Sequence, residues 1–499
     1  MWRRRSILLS AVTAAVIGIT WPHRMRAESE EPSWQAFLAA ASSDQRQAQA
    51  ALADIAARWK DGYAAMILDV VRFLPSPRTN QMVDQGPSLL DSATDEQRAG
   101  ATPGQIDSPS MARSSPEAAT RLRLTNFLER QTRQRFGDDL RAWRKWLWAL
   151  PDSPHPDYAS FKADLYRRID PRFREFFPPR AKSTIRLDEI DWGGVTVNGI
   201  PPLRSPKTIS AADATWLGDG HIVFGIAIDR QARAYPKRIL AWHEMAIDRM
   251  GGVDLTIVYC TLCGTVIPYE SSVNGRRLTF GTSGLLYRSN KLMFDEETHS
   301  LWSSIEGVPV LGALVNSGMR LPFRSVVTTT WREWKRDHPT TTVLSLETGY
   351  DRDYGEGMAY RDYFSTDRLM FEVPRTDTRL KNKAEVLVLR PETIGKNASP
   401  VAIAVERLRR EPVYGFEAGG RHFVVITSKA GANLLFERGA HTFVPGTREG
   451  ELRDMSGKRW SVSAEGLVSE TGERLSRVPA HRAFWFGWVA QYPQTVLHK

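Results

Sequence analysis

The chain has 499 residues, a formal net charge of +10, 42% hydrophobic residues and two cysteines. Spread over that length the positive charge is modest, and no run of Lys or Arg with interleaved aromatics stands out, which argues against nucleic acid as a partner. One cysteine pair cannot staple a fold of this size, so stability has to rest on a large apolar core, with material for about three domains.

Residues 1–27 read as an export signal. Arg3, Arg4 and Arg5 precede an apolar stretch from Ile7 to Trp21, which is short for a bilayer span and suits a signal core, and Arg4-Arg5-Ser6-Ile7-Leu8 resembles a twin-arginine signal. Met25-Arg26-Ala27 is a poor cleavage site, so an uncleaved signal anchor is the alternative to a released protein, and no later stretch could span a bilayer. The expected location is periplasmic or otherwise extracytoplasmic.

Residues 28–74 form a helical segment in which Ala48, Leu52, Ile55 and Trp59 recur at helical spacing. Residues 75–118, rich in Pro, Ser, Gly, Asp and Gln, read as a disordered linker. Helical pattern resumes over 119–184, through Phe127, Phe136, Trp143, Trp146 and Leu147. From 185 the texture changes to short strand-like runs, such as Ile222 to Ile228 and Leu255 to Tyr259, separated by turn residues. The expected class is α+β: an N-terminal helical region followed by a mainly β domain built from two tandem related units, 185–380 with the cysteines and 381–499 without them.

Both cysteines lie in Thr256-Ile-Val-Tyr-Cys-Thr-Leu-Cys-Gly-Thr-Val-Ile-Pro-Tyr-Glu270. Apolar runs enter and leave the pair, so the local expectation is strand, tight turn, strand, with Gly264 supplying backbone freedom after the second sulfur. Two thiols on one hairpin tip can chelate a soft metal or close into a small-loop disulfide. A zinc ribbon would need a second Cys-x-x-Cys, which the sequence lacks.

A long-range repeat underlies the two-unit division. Trp331-x-x-Trp334 followed by Pro339 matches Trp485-x-x-Trp488 followed by Pro493, and Asp295 and Trp302 match Asp454 and Trp460. A gapless comparison sets Ile257 to Gly264 against Val424 to Gly431, with Thr427 and Ala430 in place of the cysteines. Restriction of the sulfurs to one copy favours a site there and a structural role for the other.

The first unit resembles the family known as domain of unknown function 3179. The resemblance is carried by Ala232-Arg-Ala-Tyr-Pro236, Trp242-His-Glu244 with Asp248, Gly251-Gly252, Tyr259-Cys-Thr-Leu-Cys-Gly264, Phe280-Gly-Thr-Ser-Gly-Leu-Leu286, Met293-Phe-Asp295 and Ser300-Leu-Trp302. It runs from about residue 190 to the end of the chain, and Thr261 stands where the family commonly has Pro. It implies an exported prokaryotic protein and no established reaction.

A tetrahedral metal site on the cysteines would need further ligands, and imidazole is the usual companion of thiolate. His243 is the expected ligand, with Glu244 beside it as an orienting carboxylate or base. His299, in a polar turn, is expected to be solvated; Asp248 and Asp295 are expected to cap backbone amides, and Met245 and Met293 to lie in strands. The segment Phe280 to Leu286 lacks the lysine of a phosphate loop, and its glycines are expected to bring backbone near the sulfur hairpin. The first functional expectation is therefore an exported protein binding copper or zinc through Cys260, Cys263 and His243, with a redox step open to it. The second is a thiol-disulfide oxidoreductase in which Cys260, Cys263 and Glu244 do the chemistry, and the third is a non-enzymatic binding module. The partner is an unknown small molecule or protein.

Overall fold

The computed structural model of the chain describes residues 31–74 and 116–499, apart from Lys396, Glu449, Ala464 and Glu465. The segments expected to be an export signal and, up to residue 115, a linker lie outside the described residues. The helix expected after the linker starts earlier than 119, at Pro116, a residue whose fixed φ suits the first helical turn.

Among the described residues, six α-helices make the N-terminal region: Trp34–Ala39, Gln45–Ala57, Ala64–Val71, Pro116–Thr132, Leu140–Ala149 and Tyr158–Tyr166. Asp44 and Asp139 cap the second and fifth by accepting from backbone amides two or three residues on. Their apolar faces meet around Phe37, Tyr63, Trp143 and Phe161, and the same core continues into Leu285, Leu292 and Phe294 of the β-rich region. Charge ties the two regions as well. Buried Asp191, in strand Ile190–Trp192, takes Arg72 at 2.8 Å and Arg144 at 2.6 Å, and Lys162 pairs with Asp69 at 2.9 Å while also donating to the Ile190 carbonyl.

The first β unit has three larger sheets. One runs in the order Val327–Thr330, Ile222–Ile228, Gln231–Pro236, Thr342–Leu344, Thr208–Ser210, in which only Gln231–Pro236 and Thr342–Leu344 are parallel. The second contains Leu203–Arg204, Met245–Met250, Val253–Cys260 and Thr265–Glu270. The third contains Ile190–Trp192, Phe280–Tyr287, Asn290–Asp295, Leu301–Ser303 and Val308–Leu311.

The second unit repeats these pairings in miniature. His481–Phe484, Glu385–Leu389, Val401–Ala404 and Val496–His498 pair in the same order and senses as the first four strands of the first sheet. Val413–Ala418, Arg421–Thr427 and Asn433–Glu437 follow the cysteine-bearing meander. Phe443–Pro445, Glu451–Asp454, Arg459–Val462 and Gly466–Ser469 follow the third sheet. Trp302 donates to Asp295 at 2.8 Å, and Trp460 donates to Asp454 at 3.1 Å. Near the end of each unit a short helix, Trp331–Asp337 or Trp485–Gln491, buries its two tryptophans and leads into the last strand.

Strand register corrects the gapless comparison at one place. Met245 pairs with Val258 and Val413 with Ile426, so Tyr259 corresponds to Thr427 and Cys260 to Ser428. Beyond the turn, Glu270 opposite Leu255 corresponds to Glu437 opposite Phe423, so the second tip is one residue shorter. A gapless comparison cannot see a deletion inside a turn, because turns tolerate length changes that strand pairing does not.

Candidate functional site

The cysteine hairpin forms as its sequence implies. Val253–Cys260 and Thr265–Glu270 are antiparallel strands, and Gly264 turns the chain at φ +63°, a conformation that favours glycine. The Cys260 and Cys263 Cα atoms are 5.5 Å apart and the sulfurs lie at disulfide distance. Neither is accessible: Cys260 is 1% and Cys263 0% exposed.

Cover comes from three directions. From the second unit, the Phe484 amide donates to the Cys263 carbonyl at 2.8 Å, and Gly487 approaches so closely that a Cβ there would lie 2.5 Å from that of Cys263. From the first unit, Leu286 packs in the same apolar cluster as the sulfurs. The third cover is the irregular segment joining the two units, between Leu344 and Glu385. Three of its tyrosines each reach a different part of the site: Tyr354 meets His243 Nε2 at 2.5 Å, Tyr360 donates to Glu244 at 2.7 Å, and Tyr363 donates to the Leu262 carbonyl at 2.6 Å. Burial raises all three phenols, Tyr360 to about 12, so they stay protonated donors at neutral pH.

The helix Lys237–His243 sets the positions of His243 and Glu244. His243 is its last residue, fully buried, with Nδ1 2.9 Å from the Pro201 carbonyl and Nε2 at Tyr354. Both ring nitrogens thus face protein oxygens rather than the sulfurs. Burial lowers its pKa to about 4, which leaves the ring neutral. Glu244 follows at φ +54°, a strained conformation for a residue with a side chain, and that turn sends its carboxylate toward the hairpin tip. One oxygen accepts from Thr261, between the two cysteines, at 2.7 Å and from Tyr360; the other meets Lys291.

Lys291 is the residue the sequence reading did not single out. It lies in strand Asn290–Asp295, all of whose residues are buried, and burial pulls its amine well below the usual lysine range. The available signal was slight: Lys291 sits between the polar Arg288-Ser-Asn290 and the apolar Leu292-Met-Phe294, and only the sheet packing shows it buried. Glu244, Lys291 and Tyr360 line a pocket of about 410 Å³, counting its open mouth. The rest of its wall is largely apolar, with Val195, Ile200, Leu262, Leu286 and Phe371. Thr282 and Gly284 also line it, so the Phe280 to Leu286 segment, a bulged strand, does reach the hairpin region.

The other candidates have structural employment. His299 is half exposed, 3.4 Å from Glu175. Asp248 accepts from Arg233 and Tyr235, and Asp295 from Thr298 and Trp302. Met245 and Met293 are core residues, and among the described residues no group of three or more His, Cys, Asp or Glu is placed to hold a metal.

The family model described as protein of unknown function (DUF3179) matches residues 197–495, and the chain belongs to that family. No curated protein and no solved structure matches it.

Proposed function

We propose that the protein is an exported thiol-disulfide redox protein whose working pair is Cys260 and Cys263. The observation that carries this reading is the pairing of the two sulfurs at a turn whose middle residue, Thr261, is hydrogen-bonded to a buried carboxylate that itself meets a buried lysine. A disulfide needed only for stability has no use for a titratable pair beside it, and burying such a pair is costly. The oxidised form suits a location outside the cytoplasm, in line with the arginine-led N-terminus. Copper or zinc on Cys260, Cys263 and His243 would require the imidazole to leave Pro201 or Tyr354.

The test is a count of free thiols beside metal analysis, on untagged protein as isolated. The redox reading expects no free thiol and no metal, and two thiols in the folded protein after treatment with dithiothreitol. Stoichiometric copper or zinc that is lost in both Cys260→Ser and Cys263→Ser would replace it with the metal reading.

A further inference from the structure

One donor stands out in the wall of the pocket beside the hairpin tip. Strand register sets Lys291 opposite Leu286, so the two side chains leave the sheet on the same face, and both line the pocket. Glu244 and Lys291 are each more than nine-tenths buried. Val195, Ile200 and Met370 are half-buried, and the wall meets solvent there. Neither cysteine lines the pocket, so what it takes does not touch the sulfurs.

The other polar side chains of the wall spend their donors inside the protein. The Thr282 hydroxyl donates to the Ile200 carbonyl at 2.7 Å and the Tyr360 hydroxyl to Glu244 at 2.7 Å. Glu244 accepts on one oxygen from Thr261 and Tyr360 and meets Lys291 on the other, so its acceptor capacity is largely used. The Lys291 side chain meets only Glu244 among the described residues. Two of its N–H groups are left over whether the shared proton sits on nitrogen or on the carboxylate, and a buried donor without an acceptor is costly. The pair has no net charge in either case, so a charged ligand would lose its hydration there without a counter-charge.

We propose that this pocket binds an uncharged small molecule with an apolar body and a carbonyl group, whose oxygen accepts a hydrogen bond from Lys291. Leu262, Leu285, Leu286 and Phe371 supply the wall against which the body packs. The volume, about 410 Å³ with the open mouth counted, lies at the small end for such sites. A carbonyl suits the wall better than a hydroxyl: it brings acceptors alone, whereas a hydroxyl brings a donor that Glu244 has little room to receive. Glu244 is a positioning residue here, holding Lys291 on one oxygen and Thr261 of the cysteine turn on the other. The site is independent of the redox reading, since its ligand reaches neither sulfur.

The experiment titrates the full-length protein, by ligand-observed nuclear magnetic resonance, with acetophenone, an uncharged aromatic ketone, and with two molecules close to it in shape. Ethylbenzene lacks the acceptor, and benzoate carries a negative charge. Acetophenone should bind about tenfold more tightly than ethylbenzene, the contribution of one buried hydrogen bond, and more tightly than benzoate. Lys291→Met should remove the preference for acetophenone over ethylbenzene, and Val195→Trp, which fills the pocket from its rim, should weaken both. Should Lys291→Met not fold, the wild-type ratios and Val195→Trp decide. No binding of acetophenone, equal binding of acetophenone and ethylbenzene, tighter binding of benzoate, a preference kept in folded Lys291→Met, or binding untouched by Val195→Trp would each overturn the carbonyl site. None of these outcomes alters the free-thiol count that tests the redox reading.

Discussion

The two hairpin tips of the β-rich region stand on matching strands and are held in different ways. At the first, the Cys260 and Cys263 sulfurs lie at disulfide distance and Gly487 packs against Cys263. At the second, Ser428 occupies the place of Cys260, and Glu333, which corresponds to Gly487 in the Trp-x-x-Trp helix, accepts a hydrogen bond from the Ser428 hydroxyl at 2.9 Å. One tip holds two buried sulfurs at disulfide distance; the other is joined to the facing helix by a hydrogen bond. The backbone therefore does not demand a disulfide at this position. The difference extends further: register sets Pro412 where the first unit has Glu244, and Gly450 where it has Lys291, since the Lys291 carbonyl accepts from Ser304 as the Gly450 carbonyl accepts from Val462. Cysteines, carboxylate and lysine are together in one unit and replaced together in the other. The strand pairings match between the two units while the residues at the tips do not.

The largest effect should come from the sulfurs themselves. Cys260→Ser and Cys263→Ser should each abolish exchange with dithiothreitol while Ser428→Ala leaves it intact, as followed by thiol release on the folded protein. Residual exchange in either cysteine variant would break the assignment of function to the first tip.

Acid should destabilise the first unit through His243. Its folded pKa of about 4 lies below the ordinary imidazole value of 6.5, so as pH falls through that window the unfolded chain binds the proton first and stability is lost; above 6.5 there is no effect. The loss approaches about 3 kcal/mol near pH 4. His481, buried and lowered to about 3, adds a loss of the same sign. Urea unfolding at pH 7.5 and 4.5 should therefore show a smaller acid penalty in His243→Gln than in wild type, and an equal penalty would mean that the ring is not held neutral.

Gly487→Ala sharpens the contrast between a packed tip and a hydrogen-bonded one. Its new Cβ meets Cys263 with nowhere to move, and overpacking of this kind costs roughly 1–3 kcal/mol. Thermal unfolding should show the drop, and unchanged stability would mean that the two units are not in close contact at the sulfurs.

How much of this could be read in the sequence follows from the range of each interaction. The hairpin, the paired tryptophans and the helical periodicity are local, and they lie where the spacing implied. His243 and Glu244 were both marked, yet their roles divide at one residue: a helix end turns His243 to Pro201 and Tyr354, and the positive φ that follows turns Glu244 to the tip. Sequence spacing cannot resolve that switch. Lys291 meets Glu244 across 47 residues, and Tyr363 meets Leu262 across 101. No periodicity encodes such contacts, because they arise only when the sheets and the connector have packed.

The connector offers the smallest expected effect. Tyr363→Phe removes one hydrogen bond to Leu262, worth about 1 kcal/mol, and should speed reduction of the pair severalfold by loosening its cover. The corresponding tip of the second unit has no pair to expose, so Ser428→Ala should give no such change.

The central claim is that Cys260 and Cys263 form a reversible redox couple in the folded protein. Equilibrating the native protein across a range of reduced and oxidised dithiothreitol, and measuring the fraction of free thiols, tests it directly. The account predicts one reversible two-electron transition, with a slope of about 30 mV per decade, in a protein whose circular dichroism does not change. A pair that stays oxidised at every ratio until the protein is unfolded, or that is isolated as two thiolates on a metal, would contradict it.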